Sequence, residues 1–260
     1  MENSFKTTIR KMYGFFKVEV KALLRDPTTV FFMLVLPMVL TVVFGSAFGK
    51  EPTHYGEHIL GIDTVVPINI IFLLANAGLM GIPITISELK EQGVIKRYIT
   101  YPVDYKIYFG SLMATFSIVS IISTLLFTTV SFIFYKATLF IHLLGIMGFA
   151  MLYFLNMYIY YGIGFLLSLL IKSARTTNIV TSFLFLTLIF TSGIVLPLDS
   201  LPPNIEKFAN LLPMSHSIQV TQMWWYGLFS FKEQGKDLIY LVIVAIILYF
   251  LLRRVKVKWD

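Results

Sequence analysis

The sequence predicts an all-α membrane protein. It has six transmembrane helices, an N-terminal interfacial elbow helix, and short re-entrant outer helices between spans five and six. Three observations predict this fold. First, 57% of the 260 residues are hydrophobic and 13% are charged, about half the charged share of a soluble domain, with mean hydropathy +0.79. Second, the apolar residues gather into runs long enough to cross a bilayer. Third, the Lys and Arg residues sit mainly at alternate turns between those runs, as the positive-inside rule requires. The whole chain, 1–260, reads as one domain.

Residues 4–25 form the elbow. Phe5, Ile9, Met12, Phe16, Val20 and Leu23 fall on one helical stripe, and Lys6, Arg10, Lys17, Lys21 and Arg25 fall opposite. That is the pattern of a basic helix lying along anionic lipid. The segment is charged throughout and lacks the apolar core of a signal peptide. Asp26 and Pro27 break it and start the next helix, as N-cap and first helical residue.

The first span, 28–48, is uncharged and about 31 Å long as a helix. Pro37 is expected to kink it, and Gly45 and Gly49 form a GxxxG near its far end. Residues 50–64 read as a polar loop. His54 and His58 lie in that loop with no supporting ligand motif. The second span is 65–87 and contains Asn69 and Asn76. Amides in lipid need protein or water partners, so these two, and Asn156 further on, are candidates to line a path or to bond between helices.

The polar stretch 88–106 follows, carrying Glu88, Glu91, Gly93, Lys96, Arg97 and Pro102. It predicts a short amphipathic helix from 88 to 99, interrupted at Gly93 and stopped by Pro102, at the membrane face. Residues 107–171 hold a single charge, Lys136. No one helix is that long, so Lys136 marks a tight turn between a third span, 107–135, and a fourth, 137–171. Tyr153, Tyr158, Tyr160 and Tyr161 crowd the fourth.

The fifth span is 176–198. Between 199 and 236, Pro202 and Pro203 start one short helix and Pro213 separates it from a second, which Gly227 ends. Met223, Trp224, Trp225 and Tyr226 suit a membrane interface. With Pro197, Pro202 and Pro213, Trp224 and Trp225 are candidates for an outer gate. The sixth span is 238–252, short enough that Arg253 and Arg254 are expected to snorkel.

Six spans put both termini on one side. That side holds 16 of the 21 Lys and Arg residues and the other holds five, which sets both ends in the cytoplasm. The net charge of +7 is therefore a loop charge facing lipid headgroups, not a nucleic-acid surface.

Several chemistries have no motif here. There is no cysteine, hence no thiolate metal site or disulfide. GxxxxGK[ST], GxSxG and HExxH are absent. The spans as drawn contain no acidic residue, which argues against a proton- or sodium-coupled carrier. What remains is a membrane path powered by another chain, a channel, or a structural membrane subunit.

Three segments then resemble the type-2 ABC transporter permeases. The first is Glu91-Gln92-Gly93-Val94-Ile95 with Tyr98 and Thr100-Tyr101-Pro102-Val103. It is similar to the family's E-x-G-T-[LI]-x-x-L and [ST]-P-[VL], departing at Val94, Tyr98 and Tyr101. The second is Ser192-Gly193 with Pro197, Leu201-Pro202 and Leu212-Pro213-Met214-Ser215-His216. The third is Arg25-Asp26-Pro27 leading into a span with Pro37 and Phe44-Gly45.

The resemblance implies two permease subunits, identical or different, forming a path. Two P-loop ATPase subunits carrying ATP and Mg would dock on the elbow helix (Arg10, Lys17, Lys21, Arg25) and on the segment around Glu88, Glu91, Gly93, Lys96, Arg97 and Pro102. This chain would hold no cofactor and catalyse nothing. It would be an exporter in a bacterial cell membrane, and the Leu23-Leu24-Arg25-Asp26-Pro27 entry is similar to the drug and antimicrobial-peptide branch. The alternatives are a lipid or polysaccharide exporter of the same family, and a non-transporting immunity or sensor subunit.

Overall fold

The structure, a computed structural model, describes residues 2–53, 55–94, 105–141, 143–194 and 202–255. Helix α1 is Glu2–Arg25. Among the described residues, six helices are long and apolar enough to cross a membrane: α2 at Pro27–Phe48, α3 at Gly61–Glu91, α4 within Tyr105–Tyr135, α5 within Leu143–Leu170, α6 at Ala174–Thr191 and α9 at Phe231–Arg254. Two short helices, α7 at Pro203–Ala209 and α8 at Pro213–Trp225, lie between α6 and α9. An antiparallel hairpin, β1 (Pro52–Thr53) and β2 (Gly56–Leu60), pairs Pro52 with Leu60 and Thr53 with Gly56.

Helix α3 is the axis of the bundle. Its sequence is apolar on every side, the mark of a helix with no solvent face, and its residues from 66 to 79 are almost all buried. Glycines let its neighbours close in. The Gly78 carbonyl faces Gly164 of α5, where a Cβ would strike it. The Phe116 ring of α4 lies over Gly81.

Both long proline-bearing helices widen by one π turn just before the proline, at Phe31–Val35 ahead of Pro37 and at Ala77–Gly81 ahead of Pro83. Proline cannot donate to the carbonyl four residues back. For Pro37 that carbonyl is Met33, and the Ser123 hydroxyl of α4 donates to it at 2.6 Å. A freed backbone acceptor in an apolar bundle is thus satisfied by a neighbouring hydroxyl.

With six crossings, α1 and the end of α9 share one end of the bundle, here the terminal end. The hairpin, α7 and α8 occupy the far end. Helix α1 packs along the start of α4: Phe15 meets Tyr108 edge-on at 5.7 Å, and the Ser111 hydroxyl donates to the Met12 carbonyl. Asp26 caps α2 by accepting from the Thr28 and Thr29 amides at 3.0 and 3.2 Å.

Several boundaries differ from the sequence expectation. The turn at Lys136 is real, with φ 57°, but residues 137–141 are not helical and α5 starts at Leu143. Helix α9 starts at Phe231, not 238, because the Ser230 hydroxyl caps it by accepting from the Lys232 amide. Its charged first two turns therefore belong to the helix. Helix α3 starts at Gly61 rather than 65 and runs on through Glu91, so Glu88 and Glu91 sit in its last turns rather than in a separate amphipathic helix. The spans consequently do contain acidic residues. Asp63, in the first turn of α3, is buried and accepts from the Leu60 and Thr138 amides at 2.9 and 2.7 Å, which fastens the 136–141 connection to the axis helix.

Candidate functional site

The terminal end of α3 is fastened to its neighbours by polar contacts. The Ser87 hydroxyl bonds that of Thr177 on α6 at 2.8 Å. Lys90 Nζ donates to the Ser168 carbonyl near the end of α5. Glu91 accepts from the Ala174 amide, the first residue of α6, at 2.7 Å. The short α5–α6 turn is thus gripped from both sides by consecutive residues of α3. Gly93 follows with φ 66°, a left-handed turn that favours glycine. Lys96, Arg97 and Pro102 lie outside the described residues.

On α1, Lys21 and Arg25 are exposed, and Lys17 Nζ lies 4.6 Å from the centre of its own helix's Tyr13 ring. The Arg10 side chain lies outside the described residues. The side of α1 toward α4 carries Phe15, Glu19 and Leu23, and Phe16 and Val20 of the expected apolar stripe are half-buried beside it. Burial pushes the Glu19 carboxyl above its ordinary range, while its hydrogen bond with Tyr108 pulls the other way.

A cavity of about 540 Å³ opens between α2, α3 and α6. Its walls are Phe32, Met33, Met80, Phe185 and Leu186, and its polar rim includes Asp26, Glu88 and Asn178. A smaller cavity of about 190 Å³, bounded by Glu19, Leu23, Leu112 and Phe116, shares Asp26, Thr29, Thr85 and Glu88 with it.

The three candidate path amides part company. Asn69 donates to the Pro37 carbonyl at 2.9 Å and to the Thr41 hydroxyl at 2.8 Å, so it joins α3 to α2. Asn156 donates to the Leu152 carbonyl of its own helix, and its Oδ1 is buried without a partner among the described residues. Asn76 lines the larger cavity. Of the tyrosines on α5, Tyr160 bonds Ser217 and Tyr161 bonds Ser120, both from buried positions. Tyr158 faces an almost wholly apolar hollow of about 550 Å³ between α4, α5 and the end of α9.

At the far end Pro202 precedes α7 and Pro213 opens α8, while Pro197 lies outside the described residues. Trp225 is packed within the bundle rather than facing lipid, while Trp224 is partly exposed. Trp225 is 3% exposed, stacked 6.2 Å from Phe132 of α4 and against Phe149 of α5. Trp224 lies on Gly145 and Gly148, donates to the Gly145 carbonyl at 3.0 Å, and stacks on Phe229 at 4.2 Å.

One pair escaped the sequence reading. His216 on α8 meets Asp237 on α9 at 2.5 Å through Nδ1 and the Asn210 carbonyl at 2.9 Å through Nε2, with Tyr240 stacked on its ring at 4.1 Å. Spacing of 21 residues gives no periodic signal for such a contact. The acidic pair on the rim of the larger cavity gives no local signal either, because Asp26 and Glu88 lie 62 residues apart, before α2 and near the end of α3.

The sequence model of one protein family, described as ABC-2 type transporter, matches residues 12–224, from the middle of α1 to the end of α8. No curated protein matches the chain.

Proposed function

We propose a role that proceeds from one premise: the chain belongs to the ABC-2 type transporter family. It is a membrane-spanning transport component, not a catalytic one. On our reading it is the permease subunit of an ATP-driven exporter in a bacterial cell membrane and works with a second permease subunit, identical or different. A P-loop ATPase, the usual partner in this family, supplies ATP hydrolysis. The substrate is an amphiphile of the drug or antimicrobial-peptide kind. The observation that carries this reading is the α2–α3–α6 cavity. It has a polar rim at the terminal end and apolar walls further in, and about 540 Å³ is the size of a drug-sized ligand site.

The terminal end is the cytoplasmic one on this reading, since it collects 16 of the 21 basic residues. The chain has no cysteine, so single substitutions report cleanly. Thr53→Cys in the hairpin is expected to react with an impermeant thiol reagent in whole cells, and Gln92→Cys only after the membrane is opened. Labelling of Gln92→Cys from outside would reverse the orientation.

The ATPase is proposed to press on α1 and on the end of α3. Movement there passes to α5 and α6, because Lys90 and Glu91 hold the turn between them. The outer helices α7 and α8, braced on α9 by His216 and Asp237, close the far end. Combining Glu91→Lys with Arg97→Glu inverts charge where charge pairs set docking register. The double variant is expected to insert normally, to co-purify with at least tenfold less ATPase, and to lose cellular resistance to the substrate. Full co-purification with full resistance would remove this segment from the contact.

A further inference from the structure

We infer that the α2–α3–α6 cavity selects a cationic amphiphile, whose positive group sits between Asp26 and Glu88 and whose body extends inward to Asn76. The inference rests on the reading of this cavity as the substrate site and names the substrate's charge.

The charge pattern is the first observation. The terminal end is the basic end of the molecule, yet among the described residues no Lys or Arg lines either of these two cavities, and both are lined by Asp26 and Glu88. Glu19 adds a third carboxyl to the smaller one. Asp26 is engaged as the cap of α2. Glu88, from the last turns of α3, makes no side-chain hydrogen bond or ion pair among the described residues. Two carboxylates at the entrance to a weakly solvated apolar hollow attract a cation and repel an anion.

The second observation lies deeper. Asn76 is 3% exposed and lines the cavity, and its side-chain amide has no hydrogen-bond partner among the described residues. Asn69, one helical stretch away, is doubly bonded. A buried amide without a partner is costly in an apolar setting, and here it faces open space that a ligand can fill. Asn76 and Glu88 share α3 and are separated by about 18 Å along its axis. Between them run Phe32, Met33, Met80 and Phe185. The complementary molecule has a cationic head, an apolar body, and a hydrogen-bonding group about 18 Å from the head.

The test uses the full chain in nanodiscs of uncharged phosphatidylcholine. Thr85→Cys, which lines both cavities, is labelled with neutral N-ethylmaleimide in the presence of hexadecyltrimethylammonium, hexadecyl maltoside or hexadecyl sulfate. The cation is expected to protect the thiol at concentrations about tenfold lower than the maltoside, and the sulfate to protect least. Adding Asp26→Asn, which keeps a capping side chain, and Glu88→Gln is expected to erase the advantage of the cation and leave maltoside protection unchanged. An ω-hydroxy form of the cation is expected to protect better than the plain form, and Asn76→Ala to remove that gain. Equal protection by all three head groups overturns the cationic inference and leaves an amphiphile site standing. Protection by none of them overturns the substrate-site reading as well.

Discussion

Gly164→Val is expected to leave almost no folded protein, and Gly164→Ala to cost more than the about 1–3 kcal/mol of ordinary overpacking. A Cβ at Gly164 runs into the Gly78 carbonyl, and one at Gly78 would lie 2.5 Å from the Tyr160 carbonyl carbon. Both obstacles are backbone of helices in contact, so no side-chain rotation relieves them. The collision also falls on α3, the buried helix on which α2, α4, α5 and α6 pack, so the strain has no free surface to move toward. Gly110→Ala is the control. A Cβ there meets nothing, and alanine is the better helix former by up to about 1 kcal/mol. Yield and thermal midpoint of the purified protein in one detergent separate the cases. A midpoint for Gly164→Ala within 2 °C or so of wild type would mean that the crossing is looser than drawn.

Trp225→Ala carries the next largest effect, about 3–5 kcal/mol of destabilisation, as for other buried aromatic truncations. The ring fills space between α4 and α5, stacked with Phe132 and tilted against Phe149. Its indole N–H has no partner among the described residues, so Trp225→Phe removes an unsatisfied donor together with part of the ring and is expected to cost much less. Trp224 is different in kind. It is partly exposed and hinges α8 to Gly145 by one hydrogen bond. Trp224→Ala is therefore expected to keep the fold and lose transport if α8 moves as an outer gate. Thermal midpoints of the single variants and resistance of cells at matched protein level test this. Equal loss of stability for both residues would contradict the division, and full resistance with Trp224→Ala would leave Trp224 as a brace only.

Six spans were legible because apolar runs are set off by charged turns, and the lipid length requirement makes such runs hard to mistake. Asp26 was legible as a cap because capping is a matter of three adjacent residues. The start of α9 was not, since Lys232, Glu233, Lys236 and Asp237 look like loop until Ser230 is seen to cap them. Asp63 looks like a loop residue because the Thr138 amide that satisfies it lies 75 residues away. Glu88 and Glu91 look like part of a separate helix because the charge begins there, although α3 runs on through both. The contacts that Lys90 and Glu91 make end on Ser168 and Ala174, which no local pattern announces. Trp225 looks like an interface residue because amphipathic rings favour that position, yet a single sequence does not distinguish a ring facing lipid from one facing Phe132.

The two π turns have a mechanical consequence. Phe32 and Met33 belong to one, Met80 and Gly81 to the other, and all four face the same cavity. A π turn holds one residue more than the α-helical turn it replaces. Tightening either turn to α geometry would rotate the remainder of its helix by about 100° while exchanging one backbone bond for another. The cavity is therefore walled on two sides by turns that each carry one residue more than an α-helix would. Were the two turns to tighten, the opening would change width with the α-helical parts of both helices still intact.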